Sequence, residues 1–499
     1  MMKKRNLIYS IALASTLFVG CSEDFINPDE RNTGVITSDE ISDYSQVNPE
    51  LILGVLDGVG SFTIEPMGVN GTDANQHNDF GQKGVDIWLD IVSGDMALSA
   101  NSYGWYQNTA NLVSTVDFTY GENYTIWAFY YRIINQANLV IGNYGGNDVI
   151  PEDPDERRIV GQAKAYRAYA YFYLTQIFQR SYDPSQEILP YYDGENDNQA
   201  KVPASQIYAL IESDLLNAID LMSDYSRTYK HQIDATVASG ILAYTYAAMG
   251  DYTSAGQYAD DVINAGYPLT SEAELAYPGT GSGFNNLDTA SWIWGYDLTE
   301  DMGHQLVDWW GQIDLFTYSY AWAGDRKSID NSLYASIDDN DIRKTQFSTD
   351  YYLMPVNKFY APARSIAGQQ AITTDLIFMR SDEFYLLSAE CDAKTGNESS
   401  AKATMIELLT DRLGADAASD YITPLSGQSL IDAIYLQTKI ELWGEGKSYL
   451  AMKRNEATVT RGTNHVFRAG ESFNYNSDEL SFQIPQSEIN NNSLISTQN

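Results

Sequence analysis

The sequence predicts a mainly α-helical protein in which tetratricopeptide-like helix pairs form a scaffold carrying a region of loops and short strands. Three observations lead there. In QAKAYRAYAYFYLTQIF, Ala163, Tyr166, Tyr169, Ala170, Tyr173, Leu174 and Ile177 recur at three- and four-residue steps, which puts them on one apolar helix face. Ala243, Gly250 and Ala255 stand seven and then five residues apart, and Ala389, Gly396 and Ala401 repeat that spacing. Alanine on each helix and glycine at the turn let two helices nest, as tetratricopeptide pairs do, although no full 34-residue array is visible. Two unrelated helical hairpins with small contact residues are the alternative. From about Gly266 to Asp375 the chain turns rich in Gly, Asp, Ser and aromatics, with short runs such as SWIWGYDL, which reads as loops and short strands.

Taken in order, Lys3, Lys4 and Arg5 precede an apolar stretch from Leu7 to Val19. These are the charged and hydrophobic parts of a secretory signal spanning 1–20, too short for the roughly 20 apolar residues of a membrane span. Residues 21–46 are polar and read as a tether. A helical N-terminal region follows over 47–265, then the loop-rich insertion over 266–375, then a helical C-terminal region over 376–499. Helices are expected at about 124–144, 156–178, 204–222, 234–249, 253–265, 375–395, 399–413 and 429–454. Residues 60–114 share the irregular character in places. Loops held by a rigid scaffold are where recognition sits, so the insertion is the candidate ligand face.

Thirty basic against 67 acidic residues give a net charge of −37. Such a surface repels phosphate backbones and anionic headgroups, which argues against nucleic-acid binding. The only two cysteines, Cys21 and Cys391, cannot build a disulfide framework. The histidines, His77, His231, His304 and His465, are scattered, without HExxH or CxxC, so zinc lacks locally spaced ligands. Neither a phosphate-binding GxxxxGK[ST] nor a GxSxG elbow occurs. No catalytic residue, metal or cofactor is therefore assigned. Sixty-seven acids offer many carboxylate pairs for a glycosidase without marking any. The acid runs DGENDN (Asp193–Asn198) and DDND (Asp338–Asp341) have oxygen ligands for a structural calcium, but neither follows EF-hand order, and solvated loops explain them as well.

What remains is aromatic. The chain has 37 tyrosines and 9 tryptophans. Trp105 and Tyr106 in YGWYQN, Trp309 and Trp310 in VDWWGQ, and Tyr320 and Trp322 in SYAWAG lie in loop context beside amides and carboxylates. Flat rings in that company suit sugars, whose C–H faces stack while their hydroxyls meet polar neighbours. The competing reading is that these rings fill gaps between loop and scaffold.

Several segments together resemble the SusD/RagB family of Bacteroidetes surface lipoproteins. NYTIWAFYYRIINQANLVI and ERRIVGQAKAYRAYAYFYLTQIF are similar to its N-terminal helices, with Trp127, Tyr131, Asn135, Asn138, Arg167 and Ala168 in register. MRSDEFYLLSAE, IELWGEGKSYLAMKR and FQIPQSEIN, with the final Gln498 and Asn499, are similar to its C-terminal half through Arg380, Glu383, Glu390, Glu441, Glu445, Gly446, Arg454, Ile484, Pro485 and Glu488. Lys447 stands where the family has arginine, and SYLAM replaces its aromatic-aspartate-leucine run. The resemblance implies an irregular region on one face of the helical scaffold. It also implies that the matching residues mark scaffold rather than ligand contacts.

By function, the resemblance implies a non-enzymatic glycan-binding subunit that works with a SusC-like TonB-dependent transporter to import oligosaccharides. A peptide-capturing RagB-like subunit, a polysaccharide-processing enzyme and a scaffold acting only through protein partners are the alternatives. LFVGCSEDF then reads as a lipoprotein signal: Cys21 becomes the acylated N-terminus, and Ser22, Glu23 and Asp24 resemble the acidic export signal that sends such lipoproteins to the outer surface of the outer membrane. Several acyl chains together give stable anchoring where one does not.

Overall fold

A computed structural model describes residues 50–71, 76–192 and 198–499. Cys21 with the rest of the first 49 residues, and the acid run except Asn198, lie outside the described residues. Residues Leu56–Asn499 form one compact unit. Of the preceding unit, Met1–Val55, only the opening turns of a helix are described.

Ten helices of eleven or more residues build the described chain: α1 Glu50–Phe62, α2 Gln82–Val92, α3 Gly121–Asn143, α4 Pro154–Phe178, α5 Ala204–Leu221, α6 Ala235–Met249, α7 Tyr252–Asn264, α8 Ser381–Lys394, α9 Glu398–Leu413 and α10 Gln428–Glu441. Among the described residues no helix is long and apolar enough to cross a membrane. From α3 to α9 each helix packs on the next, and α8 also packs on α10. Local chemistry sets the ends. Asp153 accepts hydrogen bonds from the backbone N–H groups of Asp155 and Glu156, with Pro154 opening α4.

At the α6–α7 turn, Gly250 adopts φ 80° and Asp251 caps the second helix by accepting from Ser254 N. The left-handed residue frees Asp251 N to bond Tyr246 O at 3.0 Å, closing α6 in one step. Ala243 and Ala255 are fully buried at this pair, as are Ala389 and Ala401 at the α8–α9 pair, where Gly396 takes φ 86°. The two pairs also pack on each other through α7 and α8, so they are stacked tetratricopeptide-like hairpins rather than unrelated ones. A Cβ at Gly240 of α6 would lie 2.5 Å from the Phe384 ring of α8. Gly240→Ala is therefore expected to cost about 1–3 kcal/mol by overpacking, read as a lower denaturation midpoint at unchanged far-UV dichroism.

The structure departs from the expected helices at three places. Residues Leu376–Arg380 are a buried strand, antiparallel to Trp292–Tyr296, and α8 begins only at Ser381. LIFMR is apolar throughout and so carries no period that separates strand from helix. The helix expected over 429–454 breaks at Leu442–Lys447, because Gly444 and Gly446 take φ 81° and 73°. A Cβ at Gly446 would come within 2.4 Å of Asp86 Oδ1, so the turn presses directly on α2. Helix α2 lies in the stretch read as irregular. It is buried along its whole length, Gln82, Lys83, Asp86 and Asp90 included, and a helix without a solvent face shows no amphipathic stripe.

The insertion adds short helices and strands. Lys327–Ile329 pairs with Met96–Leu98, which ties residues 95–107 to residues 317–330. The C-terminal matching residues form a buried ionic network beneath this region. Arg380 contacts Glu445 (2.8 Å), Glu441 (2.9 Å) and Asp382 (2.9 Å), while Arg412 and Arg343 also meet Glu441 at 2.8 and 2.9 Å. Lys358 adds a contact to Glu445 at 2.8 Å. Desolvation alone would raise the Glu441 carboxyl, but Arg412, Arg380 and Arg343 overwhelm it and hold the group well below its ordinary range. Lys447, in the arginine position, donates to Phe378 O and sits 3.5 Å from Glu383. These residues are scaffold, as the resemblance implies.

Candidate ligand-binding site

The pairing of Met96–Leu98 with Lys327–Ile329 brings two aromatic loops together. Asp325, fully buried, accepts from the backbone N–H groups of Tyr103 (2.7 Å) and Trp105 (3.1 Å) and so holds one loop on the other. Gly324, at φ 116°, makes the approach possible, since a Cβ there would meet Ser102 Oγ at 2.3 Å. The Trp105 ring stacks on His77 with centroids 4.9 Å apart and planes 11° from parallel. Tyr320 meets Trp105 edge-on at 5.7 Å and Tyr103 at 5.5 Å, and its hydroxyl hydrogen-bonds His77 Nδ1.

On the same segment, Tyr318 and Trp322 pair at 5.1 Å, with 48% and 42% of their surfaces exposed. Tyr103 is 63% exposed. The region thus presents Tyr103, Tyr318 and Trp322 to solvent, with half-buried Trp105 and His77 behind them and Tyr320 as the buried joint. Burial lowers the His77 imidazole, so at neutral pH the ring is uncharged.

The polar support behind the cluster is ordered. Gln312 donates to His77 O at 3.1 Å, Lys327 Nζ donates to Gln312 and to Asp325 O, and the same ammonium lies 5.0 Å over the Tyr106 ring. Burial brings Lys327 down to about 7. Below, Asp314 accepts from Phe316 N, Thr317 Oγ1 and Ala361 N, yet burial raises its carboxyl to about 7. A folded value above the unfolded one means stability that is full below about pH 4 and gone above about pH 7. Glu390 and Glu445 work oppositely. Their guanidinium and ammonium partners outweigh desolvation and hold them at about 2, so their stabilisation is lost as pH falls from about 4.5 to about 2. The melting temperature is therefore expected to rise from about pH 7 to about pH 5 and to fall steeply below pH 4. Scanning calorimetry across that range checks it, and Asp314→Asn should flatten the upper limb.

Four of the expected ligand aromatics are buried rather than exposed: Tyr320 within the cluster, and Trp309, Trp310 and Tyr106 away from its open side. Trp309 and Trp310 are buried, edge-to-face with each other at 5.1 Å, and Trp309 is edge-to-face with Phe359 at 4.8 Å. Asp308 caps their short helix by accepting from Trp310 N, which turns both indoles inward. Tyr106, at φ 65°, points under the loop against Trp88. Their role is the gap-filling weighed against recognition. Trp105 and Tyr320 are brought into contact, and Trp322 pairs with Tyr318 on the segment that carries Tyr320. Tyr103, Tyr318 and His77 were missed. Tyr103 stands in the same YGWYQN run, and Tyr318, Tyr320 and Trp322 alternate, so two of the three carried a signal.

Among the described residues no group of three or more His, Cys, Asp or Glu side chains could hold a metal ion. In the DDND run, Asp339 pairs with Lys344 at 2.6 Å, Asp341 pairs with Arg343 at 2.5 Å, and Asp338 accepts from Asn340 N.

Comparison with known proteins gives one consistent result. The model of the SusD family matches residues 247–499, and a model described as starch-binding associating with outer membrane matches residues 72–247. No curated protein sequence matches. Among solved structures, the chain is similar to a SusD-like carbohydrate binding protein from Bacteroides vulgatus, at 25% identity and TM-score 0.75, over 89% of this chain and 96% of that one. It is also similar in fold to a SusD superfamily protein from Bacteroides thetaiotaomicron (20%, TM-score 0.72, covering 90% and 99%). The surface glycan-binding protein A of the same organism shares the fold at 17% identity and TM-score 0.65, covering 90% of this chain and 98% of that one.

Proposed function

Because the chain belongs to the SusD family, we propose that it captures glycans at the outer surface of the outer membrane. It is anchored through an acylated Cys21 and hands oligosaccharides to a SusC-like TonB-dependent transporter. The observation that carries this reading is the exposed pair Tyr318 and Trp322 beside Trp105 stacked on His77. Rings left open on a segment whose facing loop, Tyr103 and Trp105, is pinned by the buried Asp325 are preorganised for a ligand that stacks, and preorganisation lowers the ordering cost of binding. The 25%-identical relative, a SusD-like carbohydrate binding protein, supports the same ligand class.

On this reading the protein binds and performs no covalent chemistry. Affinity electrophoresis in gels containing amylopectin, glucomannan, xylan or arabinogalactan tests it, with reducing-end release measured alongside. Retardation without release is expected. Release that one carboxylate substitution abolishes would make the protein an enzyme, and binding to peptides alone would make it a peptide-capturing subunit. For the anchor, Cys21→Ala is expected to move the protein from the membrane fraction to the medium or periplasm. A variant still held in membranes would end the lipid-anchor assignment.

A further inference from the structure

A cleft of about 360 Å³ shares no lining residue with the aromatic cluster. The turn Tyr229–Gln232 forms one wall, just ahead of α6. It is fastened from several sides: Trp294 Nε1 donates to His231 O at 3.0 Å and Gly295 N to Lys230 O at 3.3 Å. Gln232 Oε1 accepts from Tyr225 Oη (2.9 Å) and from Tyr229 N (3.3 Å), which draws the turn closed. The fastening sets three rings in a nearly parallel series. Tyr229 and His231 are 8° from parallel at 5.5 Å, and His231 and Tyr296 are 20° from parallel at 6.0 Å. Tyr229, at the outer end, is 60% exposed although the backbone that carries it is held. Nothing in the core requires that ring.

Besides Leu56, Ile64 and Met302, the remaining lining is polar and carries no cation. The Tyr166 and Tyr296 hydroxyls meet at 3.2 Å at the inner end, where Gly60 lets α1 approach, since a Cβ there would lie 3.2 Å from Tyr166 Oη. Gln162 is held in the wall of the cleft with only its tip open, and its amide makes no hydrogen bond with any described residue, which leaves it to the cleft. A held amide open to the cleft offers a ligand both a donor and an acceptor. Asp57 and Asp297 line the cleft, and neither Lys nor Arg does. Burial keeps the His231 imidazole below its ordinary value, so it adds no charge at neutral pH.

We infer that this cleft is a second carbohydrate-contact site, with Tyr229 as its stacking platform, the cleft-facing Gln162 amide as its hydrogen-bonding group and Asp57 and Asp297 as acceptors. Those acceptors suit hydroxyl or ammonium donors and repel anions, so the site takes neutral or amino sugars and rejects uronates. The inference rests on the carbohydrate-binding reading but places contact at residues that reading does not use.

Calorimetric titration with maltotriose, cellotriose, mannotriose, the chitosan trimer and trigalacturonate tests it on the full chain. The variants are Tyr229→Ala and Ser61→Trp, the latter placing an indole at the exposed rim of the cleft, each alone and combined with Trp105→Ala and Trp322→Ala. At least one neutral or amino trisaccharide is expected to bind the Trp105→Ala/Trp322→Ala protein. Adding either cleft substitution should then weaken it tenfold or more at unchanged melting temperature. Wild-type affinity and stoichiometry in Tyr229→Ala and Ser61→Trp, or trigalacturonate held through Tyr229, would overturn the second site. Loss confined to the Trp105 and Trp322 variants leaves the first reading standing and removes this one. Loss confined to the cleft variants does the reverse, and no binding by the wild type removes both.

Discussion

Glu441→Gln is expected to destabilise the fold by about 3–5 kcal/mol, the cost of breaking a buried ionic assembly by removing one partner. Glu441 contacts Arg343, Arg380 and Arg412, and all four side chains are fully buried. An amide keeps the shape but removes the charge that three guanidiniums share, which leaves the site with an excess positive charge out of reach of water. Guanidinium chloride denaturation read by tryptophan fluorescence measures the loss as a lower midpoint. A change below about 1 kcal/mol would mean that Asp341, Asp382 and Glu445 can neutralise the arginines without it. Because the network ties the strand Leu376–Arg380 to α9 and α10 and to the insertion through Arg343 and Lys358, the variant should also loosen the loops above it.

Trp322→Ala and Trp105→Ala are each expected to weaken glycan binding about tenfold or more, the effect of truncating a central aromatic anchor by 1.4 kcal/mol or above. Among the described residues Trp322 makes a ring contact only with Tyr318, and more than a third of its surface is open, so the melting temperature should hold within a few degrees. Trp310→Ala should behave in the opposite way. Its indole is fully buried against Trp309 and Phe359, and deleting it costs about 3–5 kcal/mol of stability. Unchanged affinity in both Trp105→Ala and Trp322→Ala would take the ligand away from this cluster. The paired measurement separates recognition from core, which the sequence left open for all six rings.

The helical scaffold was legible because its signals are local. Periodicity marked α4, and the Ala–Gly–Ala spacing marked both hairpins, since a helix pair needs small residues at one contact and a left-handed turn residue whatever surrounds it. The matching charged residues were legible as scaffold only through resemblance. No local rule says that Arg380 and Glu445, sixty-five positions apart, end 2.8 Å from each other. Helix α2 was illegible for the converse reason: total burial erased the stripe that exposes a helix to a sequence reader.

For the site, the sequence by itself determined which segments carry aromatic rings among polar neighbours, and the structure brings two of the six chosen rings, Trp105 and Tyr320, into contact, with Trp322 exposed on the same segment as Tyr320. Which rings meet solvent was decided by tertiary contacts. Asp308 turns Trp309 and Trp310 inward by capping a five-residue helix, while Asp325 lifts residues 103–105 toward residues 318–322 from more than two hundred positions away. Ring exposure depends on which backbone a buried carboxylate holds, and that pairing is a property of the folded chain rather than of any window along it.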